Sequence, residues 1–562
     1  MLRENNLDTA IIGAGFAGMY ALYKFRELGF KVKAYERASD VGGTWFWNRY
    51  PGARCDVNSL EYSYQFSEKL QQEWSWSEKY ASQPEILSYA KHVSERFDLR
   101  RYIQFETKVV QLEYNESSNV WRGRTNQGDE FISRFLIMAT GCLSKNNMPQ
   151  FEGLNRFEGQ LLHTAQWPHS EVDFSDKDVG VIGTGSSAIQ LIPIIAGQAK
   201  SLTVFQRTAN FSIPAHNREM DREHEAKVKA NYKEFRAQNS LQRSAIGMIP
   251  NPVSALEVSE EERERTYEER WLVGGLPFAA TFNDLGINKE ANDTAADFVH
   301  RKIKNIVKDD GVAQKLCPDT VLGCNRLCVD SNYYETFNRD NVSLVDIKEN
   351  PIQSIERRGL LTTDEEFKFD SLILATGFDA MTGALSDISI TGRKKRPLAT
   401  HWAEGPQNYL GLMVSGFPNM FTITGPGSPS VLSNMIVAIE QHVNFIADLL
   451  NFMGKTQTTV VEVSRQAEVD WVKQVNSIAG KTLYTSGCNS WYLGANIPGK
   501  PRIFMPHIGF PSYVEKCEAI AAKKYRGFIF SCPPYNNFWL ISESDIADGT
   551  TRREDIAYRF QS

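Results

Sequence analysis

Two glycine-rich turns in this 562-residue chain have the spacing that cradles a pyrophosphate: Gly13-x-Gly15-x-x-Gly18 and Gly183-x-Gly185-x-x-Ala188. The first glycine of such a turn permits the tight bend, and the second lets the backbone approach the phosphates. The third position must be small so that helix and strand can pack. The helix that follows offers unbonded N–H groups and the positive end of its dipole to the anion. In the second turn Thr184, Ser186 and Ser187 complete the expected cradle. One such turn is weak evidence, but two, each between a strand and a helix, imply two nucleotide cofactors meeting in one protein.

The end of the second strand in each unit decides which ribose it takes. Glu36 lies 23 residues after Gly13, placed to accept hydrogen bonds from a ribose diol. A carboxylate there repels a 2′-phosphate, so the first unit suits the adenosine of FAD, or NAD. The equivalent position in the second unit, 23 residues after Gly183, is Gln206, followed by Arg207 and Thr208. A neutral residue beside a guanidinium suits a 2′-phosphate, because Arg offers a permanently charged, bidentate fork. The two sites therefore read as FAD and NADPH.

Between the turns lies Phe157-x-Gly159-x-x-x-His163-x-x-x-Trp167-Pro168. Its spacing resembles the fingerprint of Baeyer–Villiger monooxygenases. The fifteen residues Gly42-Gly43-Thr44-Trp45-Phe46-Trp47-Asn48-Arg49-Tyr50-Pro51-Gly52-Ala53-Arg54-Cys55-Asp56 resemble the flavin-side motif of the same family. Gly323-Cys324-Asn325-Arg326-Leu327 resembles the segment that carries its active-site Arg, and Trp491 to Lys500 its C-terminal loop. Gly425-Pro426-Gly427-Ser428-Pro429-Ser430-Val431-Leu432 is similar to the branch containing phenylacetone and steroid monooxygenases.

The resemblance implies an NADPH- and O2-dependent enzyme. Its FAD would form a C4a-peroxyflavin and insert one oxygen atom beside a ketone carbonyl, giving an ester or lactone. Arg326 is implied as the fixed cation that stabilises the peroxide and then the tetrahedral oxyanion, the kind of preorganised charge that usually contributes most. Asp56 is implied as the anionic partner a buried Arg needs. By the same resemblance Gly43, Thr44 and Trp45 line the flavin, Tyr62 and Val109 contact that cofactor, and Arg54 reaches the nicotinamide side. Trp491 lies over NADP⁺ and substrate, and Leu432 and Met435 face the substrate. Phe157, Gly159, His163 and Trp167 are expected to relay domain motion rather than protons. One departure is Asn325, where the family usually has a Lys that helps hold the 2′-phosphate.

Three rival readings use the same turns. A flavin monooxygenase acting on nitrogen or sulfur would share the two turns and a similar His fingerprint, but usually lacks Trp167-Pro168 and the fifteen-residue motif. A flavin-dependent reductase would need a dithiol, and the chain has no Cys-x-x-Cys or Cys-x-x-x-x-Cys. A non-enzymatic nucleotide-binding protein would have no use for Arg326 with Asp56.

The elements that must position these residues are α/β: two dinucleotide-binding, Rossmann-like domains with an inserted helical subdomain. Leu7–Ile12 reads as a buried strand, Met19–Leu28 as a helix and Phe30–Tyr35 as the second strand. A second unit runs from Val179–Ile182 to Leu202–Phe205, is interrupted from about 217 to 315, resumes near Val342–Val345 and closes at Asp370–Gly377. Within the interruption Glu260–Arg265 is wholly acid and base, the mark of a solvated helix face. The expected domains are 1–142 with 381–540 for FAD, 143–216 with 331–380 for NADP, 217–330 as the helical insertion, and 541–562 as a C-terminal tail.

A net charge of −6 gives no general attraction to nucleic acid or an anionic membrane, and no apolar run is long enough to span a bilayer. The first residues lack a signal-peptide core, so a cytoplasmic enzyme is expected. Its partners should be a ketone and O2. Eight scattered cysteines do not make a disulfide framework. Cys324 and Cys328 have no second Cys or His pair near them, so no metal is expected.

Overall fold

The computed structural model describes residues 6–486, 488, 490–502 and 508–532. The expected tail, 541–562, lies outside them.

The first sheet is organised by Asn6–Ile12. This strand pairs in parallel with Val32–Tyr35 on one side, Ile12 opposite Tyr35, and with Glu130–Met138 on the other, Ile12 opposite Met138. Leu7, Ala10, Ile11 and Ile12 are buried because both faces of the strand are covered, as parallel sheets require. The full order is Ser389–Thr391, Val109–Asn115, Val120–Thr125, Glu130–Met138, Asn6–Ile12, Val32–Tyr35, Ile103–Gln104. Met420–Thr422 pairs in parallel with the last three residues of Glu130–Met138, Thr422 opposite Met138, so the chain returns to this sheet after leaving the second. The helix Phe16–Glu27 buries Phe16, Met19 and Tyr20 in one core with Ile436, Ile439 and Val443 of the long helix Met435–Lys455.

The second sheet is wholly parallel, in the order Val342–Asp346, Ser201–Gln206, Asp178–Ile182, Ser371–Leu374, Gln160–His163. Between Ser201–Gln206 and Val342–Asp346 the chain makes the helices Arg222–Ala230, Tyr232–Ser240, Glu260–Val273, Lys289–Ile306 and Asp310–Leu316. Glu260–Val273 buries only Tyr267 and Trp271, four residues apart on one face, which leaves its acids and bases in solvent. Lys289–Ile306 buries Ala291, Ala295, Phe298, Val299 and Ile303, a helical stripe against the domain. A short parallel pair, Ser212–Pro214 with Cys328–Asp330, ties the end of this insertion back to its start. Among the described residues no helix is long and apolar enough to cross a membrane.

Candidate active site

Both glycine turns sit at equivalent places. Gly13 has φ +107°, and a Cβ there would lie 2.5 Å from the Ala139 carbonyl oxygen. Gly183 has φ +113° and its Cβ would lie 2.5 Å from the Ala375 carbonyl oxygen. Each turn is thus wedged against the Ala-Thr-Gly that ends a neighbouring strand, a fit only glycine allows. Gly15 and Gly185 are the N-caps of Phe16–Glu27 and Ser186–Gln198, and neither helix start is capped by a side chain or carries an acid. The space over Gly185 is open within 4 Å of where a Cβ would be. Two uncapped helix starts without acids suit two pyrophosphates.

Glu36 is buried and accepts from the backbone N–H of Ala14 (2.7 Å) and of Ala38 (2.8 Å). Burial raises its pKa against the pull of these donors. Its carboxylate therefore closes the first turn, and each oxygen keeps a further lone pair for a ribose hydroxyl. Val109 is core: its side chain is buried with Tyr35 beneath the sheet. In the second unit Thr184 Oγ1 donates to the Thr208 carbonyl at 2.8 Å, Ser186 touches Cys328 Sγ at 3.3 Å, and Ala188 is fully buried. Gln206 turns inward to the Lys315 carbonyl at 2.7 Å, whereas Arg207 is exposed and no described residue pairs with it. Asn325 is half-buried.

Arg326 and Asp56, 270 residues apart, form a bidentate pair. Arg326 Nε donates to Asp56 Oδ2 at 2.7 Å and Nη2 to Oδ1 at 2.8 Å, while Nη1 donates to the Val431 carbonyl at 3.1 Å. Burial would lower the guanidinium pKa, but Asp56 and the hydrogen-bonded Tyr492 outweigh it and hold Arg326 well above its ordinary value. The group is a fixed cation. The strand Cys328–Asp330 anchors it from behind, Asp330 accepting from Ser212 Oγ at 2.5 Å and Tyr333 N at 3.1 Å.

Asp56 is placed by the loop before it. Gly43, at φ +54°, backs onto Gly15, so a Cβ would lie 2.9 Å from Gly15 Cα; Thr44 beside it is exposed. Trp45 Nε1 donates to Tyr62 Oη at 3.1 Å. Gln190, on the helix of the second unit, grips the same loop. Its Oε1 accepts from Tyr50 Oη (2.9 Å) and Arg54 N (3.3 Å), and its Nε2 donates to the Arg54 carbonyl (3.1 Å). Ser187 also hydrogen-bonds Tyr50. The Arg54 side chain is directed to the Glu78 carboxylate and the Tyr80 carbonyl.

Leu432, Met435 and Trp491 come together around Cys142, Ala380, Met381, Val431 and Tyr492 in one apolar cluster. The rings of Trp491 and Tyr492 are 4.5 Å apart. Tyr492 thus joins this apolar lining to the Arg326 cation, a role its position beside Trp491 did not reveal.

The fingerprint residues lie away from that cluster. Gly159 is required because a Cβ would meet the Asp370 carbonyl at 2.5 Å and the Phe157 ring at 2.6 Å. His163 is buried; Nδ1 accepts from Ala165 N at 3.0 Å, and Nε2 faces Thr376 Oγ1 at 3.2 Å and the Asn147 carbonyl at 3.4 Å. An acceptor Nδ1 puts the proton on Nε2, and burial lowers the pKa, so the ring is neutral. It ties together the segments around Asn147 and Thr376, the two passages between the sheets. Trp167 is buried against Phe174 in the second core.

One pairing lay outside the sequence reading: Cys324 is disulfide-bonded to Cys488 across 164 residues. Among the described residues no group of three or more His, Cys, Asp or Glu could hold a metal.

Residues 7–238 match the family model of flavin-binding monooxygenase-like proteins. A Baeyer–Villiger monooxygenase of Pseudooceanicola batsensis is 42% identical, over 93% of this chain and 96% of its own. The chain belongs to the Baeyer–Villiger monooxygenases. It is an FAD-containing, NADPH-dependent flavin monooxygenase. The solved structure of an oxidized steroid monooxygenase bound to NADP is 50% identical and superimposes with a TM-score of 0.90, covering 93% of this chain and 99% of that one. A phenazine N-monooxygenase of Lysobacter antibioticus is 40% identical, over 94% of this chain and 98% of its own.

Proposed function

We propose that this enzyme converts a ketone to an ester or lactone, with Arg326 as the catalytic cation and the cluster around Leu432, Met435 and Trp491 as the ketone's apolar wall. Bound FAD, reduced by NADPH, supplies the activated oxygen. The uncapped start of Phe16–Glu27 holds the FAD pyrophosphate, and Glu36 its ribose. The start of Ser186–Gln198 holds the nicotinamide nucleotide, with Arg207 free to take the 2′-phosphate.

Arg326 stays charged because Asp56 fixes it through two hydrogen bonds, so no reorganisation is needed when negative charge develops on the substrate carbonyl oxygen. Leu432, Met435, Trp491 and Tyr492 exclude water from that charge, which strengthens the interaction. His163 carries no proton in the reaction; it couples the two passages between the domains.

The observation that carries this reading is the bidentate Arg326–Asp56 pair linked through Tyr492 to the apolar cluster. Oxygenation of a nitrogen, as the name of the Lysobacter relative describes, produces no oxyanion on a carbonyl carbon and gains nothing from a fixed cation there. Purified enzyme with NADPH and a panel of linear, aryl, cyclic and steroid ketones should release esters or lactones. N-oxides from amines, with no ester from any ketone, would overturn it.

A further inference from the structure

The loop Trp491–Lys500 and the residue Cys488 just before it are held against the rest of the protein at three points. Asn496 Nδ2 donates to the Phe378 carbonyl at 2.9 Å. Lys500 Nζ reaches the Asp379 carboxylate and donates to the Ala380 carbonyl at 2.6 Å. The third point is covalent. Cys324 precedes Arg326 by two residues and Cys488 precedes Trp491 by three, and the two cysteines are bonded with Cα atoms 6.4 Å apart. That separation is within the ordinary range for a disulfide. The other six cysteines are unpaired.

We propose that Cys324 and Cys488 form a peroxide-responsive thiol–disulfide site that locks the Trp491 loop against the Arg326 segment. The proposal rests on the reading of Arg326 and Trp491 as the two sides of the ketone site. The bridge joins the two segments whose side chains meet there, because Tyr492 hydrogen-bonds Arg326 and its ring lies 4.5 Å from that of Trp491. Fixing one cysteine to the other fixes the spacing of the cation and the loop.

The oxidant is hydrogen peroxide, which a flavin monooxygenase releases when oxygen is activated and no substrate takes the oxygen atom. The Cys488 thiolate, on the half-exposed partner, attacks one peroxide oxygen. The O–O bond breaks, giving a sulfenic acid, and the departing hydroxide takes a proton to become water. The Cys324 sulfur then attacks the Cys488 sulfur, the S–O bond breaks, and the second water leaves with the thiol's proton. Two thiols and one peroxide give one disulfide and two waters; the thiols are oxidised by two electrons and the peroxide is reduced by two. A dithiol reverses the bond by thiol–disulfide exchange. Uncoupled turnover would in this way tie the segment that carries Trp491 and Tyr492 to the segment that carries Arg326.

The FAD-loaded enzyme is reduced with dithiothreitol, desalted and titrated with hydrogen peroxide. It is then denatured, alkylated and mapped without reductant. A cross-linked peptide containing Cys324 and Cys488 should appear, and should vanish on renewed reduction. Loop opening limits turnover in many enzymes, so kcat should fall about two- to ten-fold on oxidation and recover with dithiothreitol. Cys488→Ser should keep the kcat of the reduced enzyme and respond to neither reagent. Free, alkylated Cys324 and Cys488 after peroxide, or equal kcat in the two redox states, would overturn the proposal. The peptide map does not depend on ester formation, so a cross-link in an enzyme that makes no ester would sink the ketone reading and leave the thiol chemistry standing.

Discussion

Gln190 and Arg54 are hydrogen-bonded in both directions: the amide oxygen accepts from the Arg54 N–H at 3.3 Å, and the amide nitrogen donates to the Arg54 carbonyl at 3.1 Å. Gln190 lies one turn into the helix whose start holds the nicotinamide nucleotide in our reading, and Arg54 is two residues from Asp56. Gln190→Leu keeps the volume and removes both of these bonds together with the one Gln190 accepts from Tyr50 Oη. Gln190 and Arg54 are half-buried, so leaving the Arg54 groups unpaired costs less than the ~1–3 kcal/mol of a fully buried group. The variant should retain FAD, raise the KM for NADPH and divert more turnover to hydrogen peroxide. Unchanged KM and unchanged coupling of NADPH use to ester would show that the contact is only structural.

Arg207 is the exposed guanidinium assigned to the 2′-phosphate. Arg207→Ala should weaken NADPH by about 1.5–3 kcal/mol, the worth of a charged hydrogen bond, with little effect on NADH. Asn325→Lys should act oppositely. Steady-state KM values for the two nucleotides decide it; equal efficiency of the native enzyme with both would contradict the assignment.

The two nucleotide units were legible because their glycines answer local demands: a bend, a close approach and a small contact, all within six residues. Asp56 with Arg326 was legible only through resemblance, since nothing local marks two residues 270 apart as partners. Gln190, Tyr492 and the Cys324–Cys488 bond went unread for that reason; each acts through a partner brought near by tertiary packing. Arg54 is a mixed case. Its type and motif imply the nicotinamide side, and its carboxylate partner Glu78 was not legible because it is reached only in the folded chain. The side chain of Val109 is buried in the core with Tyr35 and Leu112.

His163 should be silent in the pH profile. Its ring is neutral and bonded on both sides, so His163→Ala should slow ester formation or uncouple it without moving the acid or alkaline limb of kcat/KM. Loss of a limb in the variant would make it a proton carrier.

Glu440 is buried on the helix Met435–Lys455 and accepts from Gln65 N (2.8 Å) and Phe66 N (2.9 Å). Burial lifts its pKa to about 7, above the 4.5 of an ordinary Glu. The folded state therefore binds the proton more tightly than the unfolded state, so this group's contribution to stability is complete below about pH 4.5 and is lost as pH rises to about 7. Glu440→Gln cannot ionise and keeps the acceptor oxygen. It should raise Tm at pH 8, by up to about 3 kcal/mol in stability, and change little at pH 5. A variant less stable than native at pH 8 would show that the ionised carboxylate is favourable in its buried site, against this reading.

The central claim is that the Arg326 guanidinium, held by Asp56, stabilises the charge that develops on the ketone oxygen. Arg326→Ala should be purified with FAD bound, because the adenosine site is built from a different part of the chain. With NADPH, O2 and a ketone that the native enzyme accepts, ester and hydrogen peroxide are measured side by side. Ester formation should fall by about 10²–10³ or more, the usual cost of one preorganised donor. Whatever NADPH is still consumed should appear as peroxide. Asp56→Ala should move both yields in the same direction but less far. Ester made by Arg326→Ala at near the native rate would contradict the claim.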